Sequence, residues 1–152
     1  MKKPLVYLAG PISGLSFGVA NYWRTVVTSL LAPGIGTINP LRGKERLSDM
    51  ETITSGEVDG FPDCSDNAIV TRDRFDLQRA DAVLFNLLLE TPRYTGTLVE
   101  YGWADAWRKP IITVAQIPGP WDHPFIRHLS GWIVPVPLAA VYVLRRLFNV
   151  SN

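Results

Sequence analysis

The apolar positions of this chain change period several times, and each change marks an element. The run PLVYLAG at 4–10 is short, rich in β-formers and closed by Gly10-Pro11, which predicts a first strand and a turn. From Phe17 to Leu31 the apolar residues recur at helical spacing and stop before Pro33-Gly34. GIGTINP at 34–40 reads as a second strand. From Leu41 to about Ser65 the chain is polar, Gly-containing and aperiodic, and a loop of that length is often functional. An amphipathic helix is predicted at 66–81, followed by AVLFNLLLE at 82–90, a nearly continuous apolar run typical of a central parallel strand. GTLVEYGWADAWRK at 96–109 predicts a helix, PIITVAQI at 110–117 a strand, and PLAAVYVLRRLF at 137–148 a closing helix; the Pro- and Trp-rich piece between 118 and 135 is ambiguous. Strands alternating with helices predict an α/β fold over 1–152. It is a doubly wound parallel sheet of about five strands flanked by helices, flavodoxin-like or Rossmann-like, in a single domain. Ligands of such sheets sit at the carboxyl ends of the strands, here Tyr7–Ser13, Asn39–Arg42, Asn86–Thr91 and the residues after Val114.

One helix breaks its own pattern. With helical periodicity, Gly96, Val99, Glu100, Trp103, Ala104 and Trp107 share a face, and Glu100 is the only member that is neither small nor apolar. Two readings are open. Thr97-Leu-Val-Glu100 matches a capping box, with Glu at N3 reaching back to the N-cap amide. Alternatively, the acid is poorly hydrated beside two tryptophans and held anionic by the helix start, as a nucleophile would be. A second group of acids lies in RDRFDLQRAD, which supplies Asp73, Asp76 and Asp81. Asp81, directly before the buried strand, reads as a turn residue. Asp73 and Asp76 read either as solvated helix acids or as part of a pocket. A carboxylate facing Glu100 would suit glycosidic bond chemistry, one acid attacking and the other handling the leaving group's proton.

Composition narrows the field. The 152 residues are 47% apolar and 19% charged, with a formal charge of +1 and scattered Lys and Arg, so the chain is globular and lacks the basic stripe of a nucleic-acid-binding surface. Its single cysteine, Cys64, excludes an intrachain disulfide and a cysteine-based zinc site, and reads as an incidental loop thiol. His123 and His128 lie five apart, without the spacing of two ligands on one helical face, and read as surface or packing residues. Gly10-Pro-Ile-Ser-Gly14 lacks the dinucleotide fingerprint, and Gly43-Lys44 lacks the upstream glycine of a phosphate loop. No cofactor and no metal are expected. The N-terminal apolar run is too short for a signal peptide, and WIVPVPLAAVYVL carries two prolines and falls short of the ~18–20 residues of a membrane span. A cytoplasmic protein with no membrane partner is the expectation.

YLAGPISG at the first strand, Asp73 eight residues before the Asp81 that opens a buried strand, and GTLVEYGWA together resemble the nucleoside 2-deoxyribosyltransferase family, over Tyr7 to about Pro110. Related enzymes of the same superfamily hydrolyse 2'-deoxynucleoside 5'-phosphates. The resemblance implies that Glu100 attacks C1' to form a deoxyribosyl ester. Tyr7 would orient that carboxylate, and Asp73 would contact the base and manage its proton. It also implies that Gly10 permits close approach of substrate and that Phe17 lies against the base. Asp76 and Asn86 are weaker pocket candidates. Tyr94 stands where some members carry an aspartate that binds the sugar hydroxyls. Asn149 is a candidate for the asparagine that members take from a neighbouring subunit. The partners implied are 2'-deoxynucleosides and free purine or pyrimidine bases, and the assembly a dimer or a hexamer. Monophosphate hydrolysis, with Ser13, Ser16 or Arg42 on the phosphate, is the alternative, and a nucleotide sensor without turnover is a third class.

Overall fold

The computed structural model describes residues 2–54 and 60–151. Among the described residues, five strands, β1 (Leu5–Ala9), β2 (Gly36–Ile38), β3 (Ala82–Asn86), β4 (Ile111–Val114) and β5 (Trp132–Val134), form one all-parallel sheet in the order β2-β1-β3-β4-β5. The helices are α1 (Phe17–Leu31), α2 (Asp66–Arg79), α3 (Thr95–Ala106), α4 (Pro124–Leu129) and α5 (Pro137–Leu147). The chain reverses direction across the sheet between β1 and β3, where doubly wound folds open a crevice.

Alternation along the strands splits the core in two. Val6 and Leu8 of β1, with Ala82, Leu84, Ile112 and Val114, face α1 and α5. Tyr7 and Ala9, with Val83, Phe85 and Ile111, face α2, α3 and α4. Each of these strands is covered on both faces, which is why AVLFN reads as an unbroken apolar run. That run ends as a strand at Asn86, earlier than the apolar sequence does: Asn86 Oδ1 accepts a hydrogen bond from the Leu88 amide (3.1 Å) and turns the chain. Asp81 is the turn residue expected, its Oδ2 accepting from the Leu5 amide at 2.8 Å to pin the start of β1.

The ambiguous piece at 118–135 contains α4 and β5. The segment expected to be a structureless loop from 41 to 65 is more ordered than its sequence suggests. It holds two short 3-10 helices, Glu45–Asp49 and Pro62–Cys64, and buries Leu41, Leu47 and Ile53 in a satellite cluster against Phe17. Residues 55–59 of that segment lie outside the described residues. Cys64, read as an incidental loop thiol, ends the second of these helices and is fully buried beside the Arg46 guanidinium. Among the described residues no helix is long and apolar enough to cross a membrane.

Candidate active site

A cleft of about 580 Å³ opens at the carboxyl ends of β1 and β3. Its walls come from the loop after β1 (Gly10, Ile12, Ser13), the segment after β2 (Leu41, Lys44, Leu47, Ile53), α2 (Asp66, Ile69, Asp73) and the start of α3 (Gly96, Thr97, Glu100), with Arg93 at the rim. Glycine at position 10 is a packing requirement, since a Cβ there would sit 2.8 Å from the Asn86 carbonyl oxygen. Gly14 has φ 86°, and a Cβ would meet Thr91 Oγ1 at 2.5 Å. That close approach lets the Thr91 hydroxyl donate to the Ser13 carbonyl (2.9 Å), tying the loop after β3 to the loop after β1.

Glu100 occupies the second turn of α3, whose N-cap is Tyr94. The capping-box reading therefore fails: Thr97 is inside the helix, and the N-cap residue Tyr94 makes no side-chain capping bond. The buried stripe is also rotated from the one periodicity suggested. Thr97, Tyr101 and Ala104 face the core, whereas Gly96 and Val99 are exposed and Trp103 and Trp107 stack half-buried at 6.2 Å. The rotation is fixed by Tyr101, which packs on Phe85 with ring centroids 4.0 Å apart and shares hydrogen bonds with Thr113 and with Ser130 (2.6 Å). With Tyr101 so anchored, Glu100 is turned to the cleft.

There the Tyr7 hydroxyl donates to Glu100 Oε1 at 2.7 Å, joining β1 to α3 across 93 positions of sequence. Burial pushes the Glu100 carboxyl up to about 8, with the Asp73 charge adding to the rise, while the Tyr7 hydrogen bond and the Arg24 and Lys44 charges oppose it. The expectation that the helix start would keep this acid anionic is thus corrected, because desolvation outweighs a helix dipole that fades beyond the first turn. Burial likewise raises Asp73, against the pull of Lys44 and Arg72. Asp73 Oδ1 is buried on the cleft wall with no hydrogen-bond partner among the described residues.

Two cations that the sequence did not mark out support these acids. Arg24 is fully buried. It donates Nε to the Leu8 carbonyl (3.1 Å), Nη2 to the Gly10 carbonyl (2.9 Å) and Nη1 to the Ala20 carbonyl. Burial lowers it to about 10, and the neighbouring Tyr7, Glu100 and Asp73 pull it back up. Lys44, 4% exposed, is lowered by burial and raised by Asp73. The sole hint in the sequence was an arginine on the apolar stripe of α1, between Trp23 and Val27.

The other candidates fall outside the cleft lining. Asp76 is not solvated: it is fully buried and ion-paired with Arg42 (2.6 Å) and Arg79 (2.9 Å), which also occupies Arg42. Phe17 packs in the satellite cluster, Asn86 is buried as the last residue of β3, and Ser16 caps α1 by accepting from the Val19 amide (3.2 Å). Tyr94 packs edge-on against Trp121 at 5.0 Å and lines a separate cleft of about 470 Å³ beyond the 87–94 loop. Asn149 ends α5 with φ 53°, a conformation that Asn tolerates. His123 and His128 are exposed, and His123 Nδ1 caps α4. Among the described residues no three His, Cys, Asp or Glu side chains cluster as a metal site would need.

Fold and site together define a doubly wound α/β protein with a tyrosine-bound carboxyl group and a second acid in the crevice beside its first strand. The model of the nucleoside 2-deoxyribosyltransferase family matches residues 6–124. The chain belongs to that family. No curated protein matches it in sequence. Among solved structures, it is similar to the molybdenum cofactor binding protein from the phototrophic bacterium Rippkaea orientalis. That match has 17% identity and a TM-score of 0.59, covering 97% of this chain and 98% of that one. It is similar also to the Moco carrier protein from Chlamydomonas reinhardtii, with 15% identity, a TM-score of 0.60 and coverage of 97% and 99%. At these identities the likeness is one of fold.

Proposed function

We propose that the protein transfers a 2-deoxyribosyl group between nucleobases by double displacement at Glu100. The observation that carries this reading is the Tyr7–Glu100 hydrogen bond on a cleft that also holds Asp73. The Glu100 carboxylate attacks C1' on the face opposite the base. The C1'–N bond breaks with its electron pair going to the base, and the base nitrogen takes a proton from Asp73. A deoxyribosyl ester remains on Glu100. The acceptor base then attacks C1', the ester bond breaks, Glu100 leaves as a carboxylate, and Asp73 recovers a proton from the acceptor nitrogen. Burial raises Asp73, which shifts it in the direction that proton donation to the leaving base needs. Glu100 must ionise to attack. Tyr7, Arg24 and Lys44 favour the anion, and the positive charge that develops at C1' in the transition state favours it further.

Incubation with deoxyinosine and adenine should give deoxyadenosine and hypoxanthine, and donor alone should add the mass of one deoxyribosyl group to the intact protein. Failure to exchange any purine or pyrimidine pair would reject transfer. A second reading, hydrolysis of 2'-deoxynucleoside 5'-monophosphates, is favoured by Lys44, Arg93 and Ser13 on the same cleft. Water would replace the acceptor base, and deoxyribose 5-phosphate would appear without any acceptor. Binding without turnover would instead fit a carrier, as the Chlamydomonas reinhardtii protein of similar fold is named.

A further inference from the structure

The sequence of α1 contains one charged residue, Arg24, and that side chain points inward. The outward face of this 15-residue helix therefore carries no charge. It presents Val19, Tyr22, Val26 and Leu30, spaced three and four apart, with Tyr22 74% exposed. Helix α5 packs beside α1 on the same side of the sheet, and its Arg145 Nη2 donates to the Leu30 carbonyl at 2.6 Å. α5 adds Leu138 and Tyr142, which are 64% and 57% exposed. A monomer's outer helix ordinarily sets charged and polar residues against the solvent. Here the side turned to water is a ridge of branched aliphatics and tyrosines.

We infer that the α1/α5 face is where a second copy of this chain packs. Chemistry and size both select that occupant. Along α1 the face has no charge to steer an acidic or basic partner, and that neutral surface set against its own copy brings no like charges together there; the arginines of the face, Arg145 and Arg146, lie in the last turn of α5. Tyrosine enrichment with charge depletion is the composition of an interface centre, and Arg146, over the Tyr142 ring at 5.4 Å, supplies a polar rim. On their fractional exposures the six side chains present roughly 600–700 Å². With the small polar residues between them, they approach the ~800 Å² per partner of a stable interface. Ridges spaced three and four apart also interdigitate with an identical helix across a twofold axis, the commonest symmetry of oligomers. The family resemblance implies an oligomer without saying which surface builds it; this inference names the surface and does not depend on the reaction.

The experiment measures solution mass by light scattering and sedimentation equilibrium, at micromolar concentrations, for the wild-type chain, the double variant Tyr22→Glu/Val26→Glu and the single variant Tyr142→Glu. Wild type should be an oligomer. The double variant should have half its mass or less, and Tyr142→Glu should raise the dissociation constant at least tenfold. Thermal melts confirm that the variants fold, and Tyr22→Ala, which adds no charge, should weaken the same equilibrium if the glutamates prove disruptive. A monomeric wild type, or an oligomer whose mass and dissociation constant ignore all three substitutions, overturns the inference.

Discussion

The two helical layers that cover the sheet are built from the same strands and differ in what they bury. The α1/α5 layer receives Val6, Leu8, Leu84 and Ile112, and its cluster is wholly apolar. The opposite layer receives Tyr7, Ala9 and Phe85 from the alternate positions. It buries Asp76 completely and, at the strand ends, desolvates Asp73 and Glu100. Charges withdrawn from water in a cleft have energy available for chemistry, whereas an apolar seam contributes only cohesion. Arg24 is the exception: rooted in the apolar layer, it bonds the carbonyls of Leu8 and Gly10 at the end of β1 and turns its charge toward the acids.

Glu100→Gln tests this contrast with the largest expected effect. Turnover should fall at least ~1,000-fold, about 4 kcal/mol in barrier. Stability should move the other way. The unfolded chain loses this proton near the ordinary value of 4.5, and the folded one near 8. Between those values the fold holds a proton that the unfolded chain has released, so wild-type stability declines as pH rises through that window. The variant lacks the decline, and its advantage in Tm over wild type should be small at about pH 5 and several degrees above about pH 8. An advantage that does not grow between about pH 5 and pH 8 would mean that Glu100 is already anionic in the free protein.

Leu31→Ala, in the other layer, should show the reverse profile. Leu31 is fully buried at the end of α1, and its truncation should cost about 2–5 kcal/mol of stability by denaturant titration. Activity per folded molecule should stay within a factor of about two, less than ~0.5 kcal/mol in barrier. A rate loss matching the stability loss would erase the distinction between the layers.

The apolar layer was the more legible of the two in sequence. Helix α1 has the bounds that periodicity predicts, because the 3.6-residue pattern and the Pro33 stop agree. Tyr7, Asp73 and Glu100 stand out by their motifs, and the structure brings all three to one region. Lys44 and Arg24 do not stand out, since a lysine in a polar loop and an arginine in a helix are ordinary until burial is known. The α3 register misleads for a related reason. Two tryptophans suggest a buried stripe, yet Tyr101, with a polar tip satisfied by Thr113 and Ser130, decides which side faces the core. Asp76 shows the converse, an acid that reads as solvated and is held by two arginines distributed over the loop and the helix.

Tyr7→Phe sharpens the comparison at the boundary of the layers. It removes one hydrogen bond to a carboxylate, ~1.5–3 kcal/mol, and should slow the chemical step on the order of 10–100-fold with little change in KM. Since that bond lowers Glu100, the acid limb of the pH profile of kcat/KM should move above about 8. A profile that keeps its midpoint would show that Tyr7 does not act through Glu100.

The smallest effect is expected from Tyr94→Ala. Tyr94 begins α3, six residues before Glu100, so by sequence it belongs beside the nucleophile. In the fold it leans away, edge-on to Trp121, into the cleft beyond the 87–94 loop. It makes no side-chain capping bond, so the helix start loses none when it is truncated. The Thr91–Ser13 hydrogen bond that positions the loop is also untouched. The variant should therefore keep kcat/KM within about threefold, less than ~0.7 kcal/mol, for deoxynucleoside donors, and lose about 1 kcal/mol of stability with the aromatic pair. A rise in KM of tenfold or more, with kcat preserved, would place the second cleft in the substrate's path and join two cavities that the structure separates.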